Sequence, residues 1–574
     1  GIAVADNVEG PYRNLGIILK SGMKGTSEDG TPYDATKHPN VVDPHVFYDK
    51  EGKLWMVYGS YSGGIFILQL DPETGLPLPG QGYGKKLVGG NHSRIEGPFI
   101  LYNPQTDYYY LFLSFGGLAS DGGYNIRVAR SKNPDGPYYD SEGHDMIECK
   151  GKEGSFFDDA SIEPYGVKLI GNFLFDTNPQ NVNGPGYGYV SPGHNSAYYD
   201  PQTGKYYLIF HTRFPGKVEQ HEVRVHQLFF NEDGWPVVAP SPYVGEKAVK
   251  VKTQDIVGEY LYINHGKDIS AKIKGASVIN LNNDGTISGD VYGTWNLKGD
   301  YYGEIVLESN ENGVKTQEIY KGVFVKCWDP TTKSYVMTFS GLSQKGVSIW
   351  LKQINKSALA DVVINSISIP TTVGNEGITL PTNGYLNVPI QWQSGNPNIL
   401  TDSGSLVSRP ENSTRVVLTA TVTYGGVTRT KQFEVLVTGS KFDPDNDLSL
   451  IAYYPFDGDL NEATGKVSPG IVTGNRINNG GGNITFSEGI KGNSAVFNGE
   501  SGIRLPDDLI KDWTYTVSFW VYAEQLTQFT TTFFGAYSEN SWISFTPLGW
   551  DGASSILWSG SDPWYDGICS NNVK

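Results

Sequence analysis

The chain has 574 residues, enough for about three to five domains at roughly 100–200 residues each. Its 44 Lys and Arg against 61 Asp and Glu leave a formal charge of −17. With no basic block to offset that excess, like-charge repulsion excludes nucleic acid as a partner. No apolar run reaches the roughly 18 residues of a membrane-spanning helix, so no membrane insertion of that kind is expected.

Gly 71, Tyr 36, Phe 25 and Trp 12 make a turn-rich, aromatic-rich mixture that favours many short strands over helices. The three cysteines, Cys149, Cys327 and Cys569, are far apart and show neither zinc-ligand spacing nor a disulfide framework. The low Lys and Arg share, the abundance of small polar residues and the string of β-rich modules suit a secreted bacterial protein. No signal peptide is present, and the chain opens without Met, so its first residue is not expected to be the start of the gene product.

In chain order, the first 240 residues are organised by a repeat. Gly1–Tyr12 overlays Asn125–Tyr138, which places residue 1 at the third strand of a unit. Three segments then superpose: Val42–Ser60, Ile95–Ser114 and Gly193–His211. Each reads as strand, tight turn at Asp49, Asn103 or Asp200, and strand. A third strand follows at Gly64–Leu70, Tyr124–Arg130 and Val223–Phe229, and Gly/Pro turns such as Asp135–Tyr138 and Asp233–Pro236 close the units. Self-similar units of three to four strands predict a β-propeller. A fourth, degenerate copy is expected around Ser155–Phe175, giving five blades with the first incomplete.

Asp43, Glu96 and His194 fall at one register, six, seven and six residues ahead of their turn residues. Because the innermost strands of a propeller line its channel, equal register brings two carboxylates and an imidazole around one axis. Each has a plain alternative. Asp before Pro caps turns, Glu-Gly-Pro is itself turn-like, and a lone His is usually a satisfied polar group. Together they read as convergent titratable groups in the mouth of a pocket. Two carboxylates flanking a bond are what glycoside hydrolysis needs, one protonated and one ionised, and crowding them raises the pKa of one.

These stretches resemble glycoside hydrolase family 43, in particular its secreted bacterial endo-1,5-α-L-arabinanases. The matching segments are His38–Pro44, Leu54–Gly63, Ser93–Phe99, Ser114–Gly117, Tyr124–Tyr138 and Gly193–Ser196. The resemblance covers about residues 1–356. It implies a five-bladed, inverting enzyme with an Asp base on the first blade, a pKa-modulating Asp on the second and a Glu acid on the third. Glu96 then stands at the acid and Asp43 at the modulating Asp. His194 stands at the position that in arabinanases helps hold a water-ligated calcium, although imidazole is an unusual partner for a hard cation. Repeat register predicts the base upstream of Gly1, so this chain is expected to be a fragment that does not itself activate water. Sugar contacts are expected from Ser60, Tyr61, Ser62 and Phe115 on the loops after the second strands, with Asn40 and His92 beside the carboxylates. For Tyr61 and Phe115 core packing is the competing role.

Four domains are expected: a propeller over residues 1–243, a β-barrel or sandwich over 244–356, an immunoglobulin-like sandwich over 362–438, and a partial laminin-G/concanavalin-like jelly roll over 449–574. Ser357–Asp361 and Lys441–Asp447 read as linkers, and the C-terminal end, like the N-terminal one, as a cut. The resemblance implies a monomeric, extracellular enzyme acting on arabinan, a pectin side-chain polysaccharide. Its alternatives are an exo-acting arabinofuranosidase or β-xylosidase of the same family, and a non-catalytic carbohydrate-binding adhesin.

Overall fold

A computed structural model describes residues 1–311, 314–374, 376–440, 450–507, 509–511, 515–525, 527–538, 541–549, 554–561 and 564–570. The expected linker Lys441–Asp447 and the C-terminal Asn571–Lys574 lie outside the described residues.

The repeat unit folds as an antiparallel sheet. Strands β1 (Ile2–Val4) and β2 (Arg13–Gly16) form a two-stranded sheet. Strands β3 (His45–Tyr48), β4 (Leu54–Tyr58), β5 (Ile65–Leu70) and β6 (Lys85–Val88) form the next, in sequence order. Then come β7 (Ile95–Asn103), β8 (Tyr108–Phe115), β9 (Asn125–Ser131) and β10 (Val167–Ile170). The last sheet joins β11 (Phe173–Leu174), β12 (Gly188–Asp200), β13 (Lys205–Arg213), β14 (His221–Phe230) and β15 (Pro236–Val238).

Turn chemistry sets the hairpin registers. Asp49 Oδ1 accepts from the backbone N–H of Glu51 and of Lys53, both at 2.9 Å, and Gly52 takes the left-handed φ of 82° that closes the loop. Asp49 Oδ2 also accepts from Trp55 Nε1 at 2.8 Å, tying turn to strand. Asn103 repeats the device on Gln105. Between neighbouring sheets the strands are buried on both faces, so β8 reads as an unbroken run, Tyr-Tyr-Tyr-Leu-Phe-Leu-Ser-Phe, instead of alternating. Val57, Ile65, Leu111 and Phe115 belong to one fully buried cluster across the second and third sheets, each worth about 1.5–3 kcal/mol in surface removed from water.

The degenerate copy expected at Ser155–Phe175 does not form a sheet of its own. Asp159–Ile162 is a single helical turn, Val167–Ile170 is the outer strand beside β9, and Phe173–Leu174 pairs with β12. Its aromatic and apolar residues mimic the repeat, but the Asp-rich stretch between them lacks the turn and second strand.

The barrel alternative expected for 244–356 is the one realised. Strands β16 (Gly258–Asn264), β18 (Ser277–Leu281), β19 (Thr286–Gly289), β20 (Tyr292–Lys298), β21 (Tyr302–Glu311), β22 (Val314–Asp329), β23 (Ser334–Ser343) and β24 (Ser348–Gln353) close on themselves. The short β17 (Lys274–Gly275) pairs instead with β11. Propeller-type sheets and barrel share one compact unit, Gly1–Ser368 with Pro381–Gln391 and Ala420–Lys431. Their junction is hydrogen-bonded, Ser348 Oγ donating to Leu169 O and Ser340 Oγ to Val238 O. Trp350 is fully buried, 5.1 Å from the Phe173 ring and 4.4 Å from His265.

The expected linker at Ser357–Asp361 is helical. Helix α1 (Lys356–Ser366) is capped by the Asn355 side chain, which accepts from Ala358 N, and buries Leu359, Ala360, Val363 and Ile364. The Asn cap and apolar pairs spaced i, i+4 outweigh the Ser, Ala and Asp content that reads as linker.

The second unit comprises Ile369–Leu380, Trp392–Thr419 and Gln432–Lys574. Thr372–Val373 pairs in parallel with Leu436 and Val437, over a core containing Leu400, Val416, Leu418 and Val435. Further along, Ile471–Thr473 pairs with Gly502–Arg504, Ile484–Glu488 with Asn493–Phe497, and four strands from Phe533 to Ser570 form a meander.

Candidate active site

Glu96 opens β7 opposite Ser114, and the ladder shifts register between Glu96 and Phe99. Gly97, at φ 58°, makes that bulge possible, and a Cβ there would meet the His194 ring at 3.4 Å. The bulge re-aims the Glu96 side chain. Asp43 and His194 are reached by equally unusual backbone, left-handed at φ 54° and 48°, and β12 slips register on both sides of the adjacent Gly193. Tyr61, Ser62, Asn91 and His92 are also left-handed. Such non-glycine conformations cost free energy and cluster where function holds them.

The three residues at one register of the repeat meet. His194 Nε2 lies 3.7 Å from Asp43 Oδ1, with the His side chain 44% and the Asp side chain 21% exposed. Asp43 is held above the ordinary carboxylate pKa, chiefly by burial and further by the charge of Glu96, against the opposing pull of His194 and the Gly97 N–H. Glu96 is 9% exposed and fully engaged: Ser60 Oγ donates to Oε2 at 2.9 Å and Tyr124 OH to Oε1 at 2.5 Å. Burial, then the charge of Glu96, pushes the Tyr124 phenol far up, so it remains a donor. The His194 N–H donates to Ser114 Oγ at 2.7 Å, which fixes the imidazole's strand.

The remaining expected contacts divide. Ser60 and Ser62 are buried; Ser60 serves Glu96, and Ser62 Oγ accepts from Tyr33 OH at 3.0 Å. Tyr61 is half-buried, its OH donating to Gly116 O at 3.2 Å, and burial aided by the Glu96 charge pushes its phenol to about 12. Asn40 is half-buried, its carbonyl accepting from Val42 N–H. His92 is half-buried against aromatic rings, and burial holds its imidazole below the ordinary value. Phe115, expected to stack on sugar, is 0% exposed and lies under the Arg127 guanidinium at 4.7 Å. The closing residue of β8 points into the core between sheets, so core packing is its role.

Two residues beyond the expected set complete the site. Tyr124 holds Glu96, and Gly193 is the glycine that admits it, since a Cβ there would fall 2.0 Å from the Tyr124 ring. His211 stacks between Tyr124 (6.0 Å) and His194 (6.3 Å). Burial, with Arg213 adding to it, lowers its imidazole to about 4, so it is neutral. His211 carried a legible signal, standing where the repeat puts Ser60 and Ser114. Tyr124 did not, because only the folded strand ends bring it to Glu96.

An imidazole and a carboxylate 3.7 Å apart can share a cation whose other ligands are waters. They supply too few oxygens to hold calcium by themselves, given its six to eight oxygen ligands. Among the described residues, the cluster of three metal-capable side chains is Asp140, Glu142 and His144, elsewhere.

Residues 1–160 match the model of glycosyl hydrolases family 43, residues 240–351 that of a C-terminal lipocalin-like domain, and residues 356–440 that of an atrophied bacterial Ig domain. The chain is 65% identical to extracellular endo-α-(1→5)-L-arabinanase 2 of Bacillus subtilis strain 168 over 350 residues, covering 61% of this chain and 72% of that protein. It is 59% identical to the extracellular endo-α-(1→5)-L-arabinanase of Thermotoga petrophila, covering 61% and 73%. The crystal structure of the endo-1,5-α-L-arabinanase from T. petrophila superposes with a TM-score of 0.59 at 58% identity, over 62% of this chain and 77% of that one. With nearly three-quarters of such relatives spanned at 59–65% identity, the chain belongs to glycoside hydrolase family 43.

Proposed function

We propose that this protein is an extracellular enzyme that cleaves internal α-1,5-L-arabinofuranosidic bonds of arabinan with inversion at the anomeric carbon. The observation that carries the reading is the pair Asp43 and Glu96 in one well with His194, in a chain 65% and 59% identical to proteins named endo-arabinanases. Glu96 is the general acid that protonates the leaving oxygen, and Ser60 and Tyr124 orient it. Asp43, partly buried beside it, tunes the charge of the well. The base is the Asp that the repeat register predicts in the first blade, and water attacks from the opposite face of the sugar. The four sheets described above contribute to the family's five-bladed propeller.

A calcium ion with water ligands beside His194 would supply positive charge that favours ionised Asp43. The lipocalin-like barrel buttresses the propeller. The C-terminal strands belong to a laminin-G/concanavalin-like module, and the protein acts as a monomer.

The test is product sizing on linear arabinan against xylan. Short arabino-oligosaccharides should appear from arabinan alone. Glu96→Gln should lower turnover by about 10²–10⁴-fold while retaining polysaccharide binding. Release of arabinose alone from chain ends would replace the endo reading with an exo one, and unchanged behaviour of Glu96→Gln would end the enzymatic assignment of this site.

A further inference from the structure

Phe156 and Phe157 are 59% and 52% exposed. Two adjacent phenylalanines in water are an apolar surface without an evident structural purpose. They are continuous with the acid–carboxylate well. The Tyr61 ring, whose phenol feels the Glu96 charge, sits edge-on to Phe157 at 6.0 Å and to His92 at 5.9 Å. His92 in turn contacts Phe156 at 5.2 Å and Phe157 at 5.3 Å.

The loop that carries the two rings is held rigidly. Asn91 Nδ2 donates to Gly151 O at 2.8 Å, and the Gly151 N–H to Ser93 Oγ at 2.8 Å. The Lys152 N–H donates to Asp158 Oδ2, and Arg94 forms two hydrogen bonds with the Asp159 carboxylate. The Asn91, Ser93 and Arg94 anchors lie on the segment that leads into Glu96, and the Lys152–Asp158 bond closes the loop on itself. Phe157 adopts a left-handed backbone, φ 57°, a conformation that costs a bulky residue free energy and here keeps its ring outward.

We propose that Phe156 and Phe157 form a preorganised stacking platform for a sugar unit of the bound arabinan chain beyond the unit attached to the scissile oxygen. This rests on the arabinan reading above and adds a remote subsite to it. Aromatic rings present flat apolar faces to which the C–H faces of a furanose can pack, and a pinned loop avoids the ordering cost of binding. A remote platform selects long substrates over short ones and keeps the chain threaded across the cleavage point.

The test is calorimetric titration of this chain with linear α-1,5-arabinotriose and arabinohexaose, with melting temperature measured for every variant. Phe156→Ala removes one ring. Phe157→Asn removes the other while supplying a residue that tolerates the left-handed backbone. Each is expected to bind arabinohexaose about tenfold more weakly and arabinotriose as the unsubstituted chain does, without loss of melting temperature. Unchanged arabinohexaose affinity in both folded variants would overturn the platform and leave the arabinan reading standing. Binding of xylohexaose but of neither arabino-oligosaccharide by the unsubstituted chain would overturn the arabinan reading and the platform with it.

Discussion

Glu96, the proposed acid, shows how little of a side chain's setting lies in its own neighbourhood. Its two hydrogen-bond donors come from Ser60, on the sheet before it, and Tyr124, ahead of β9. Tyr124→Phe should lower kcat about tenfold with KM nearly unchanged, because the lost bond orients the proposed acid and does not bind sugar. Steady-state kinetics on a defined arabino-oligosaccharide would show it. Asp43 yields a stability prediction. Its folded pKa is raised, by burial first, so the fold favours the protonated form. The stability this confers is complete below the unfolded pKa and is lost as pH rises through the folded one. At neutral pH the ionised Asp43 therefore costs stability, and Asp43→Asn should melt roughly 1–3 °C higher while losing activity. A melting curve at pH 7 measures this, and the difference should vanish in acid.

Among the elements, the bulged first strands do the positioning. The irregularities at Glu96 and around His194 turn side chains that a regular ladder would aim at the sheet faces into one well. Glycine enables this where backbone or ring must come close. At Gly193 an added Cβ would lie 2.0 Å from the Tyr124 ring, so Gly193→Ala should destabilise the fold by about 1–3 kcal/mol through overpacking. It should also displace Tyr124 from Glu96. Denaturant unfolding and the same kinetic assay would separate the two effects. The repeat made the strand–turn–strand units and the shared register legible from sequence, since short apolar runs and Asx turns are local. The copy at Ser155–Phe175 and the linker at Ser357–Asp361 misled for the same local reason. Composition resembled one element there, while pairing with β9 and β12 in the first case, and the Asn355 cap with its apolar face in the second, decided another.

For the propeller–barrel unit as a whole, the buried junction carries a charge. Lys168, 4% exposed in its side chain, donates to Asp268 O at 2.7 Å. Burial, with the Arg127 guanidinium adding to it and Asp268 opposing, lowers its ammonium to about 7. An unfolded Lys titrates near ~10.4. Between those values the unfolded chain binds a proton that the folded chain has released, so Lys168 adds stability as pH rises from about 7 and withdraws it as pH falls. Lys168→Met should flatten this rise, by up to about 4 kcal/mol across the window. Denaturant midpoints at pH 6.5 and 9.5 test it. The amino-acid order alone determined the all-β class, the repeat, its register and thereby the meeting of Asp43, Glu96 and His194, because apolar strand runs and turn chemistry act over a few residues. Tertiary structure alone decided that Phe115 packs inward under Arg127, that Tyr124 and His211 join the site, and that Phe156 and Phe157 stand in solvent beside it. Those outcomes depend on which surfaces meet across sheets distant in sequence, and local pattern carries no record of such meetings.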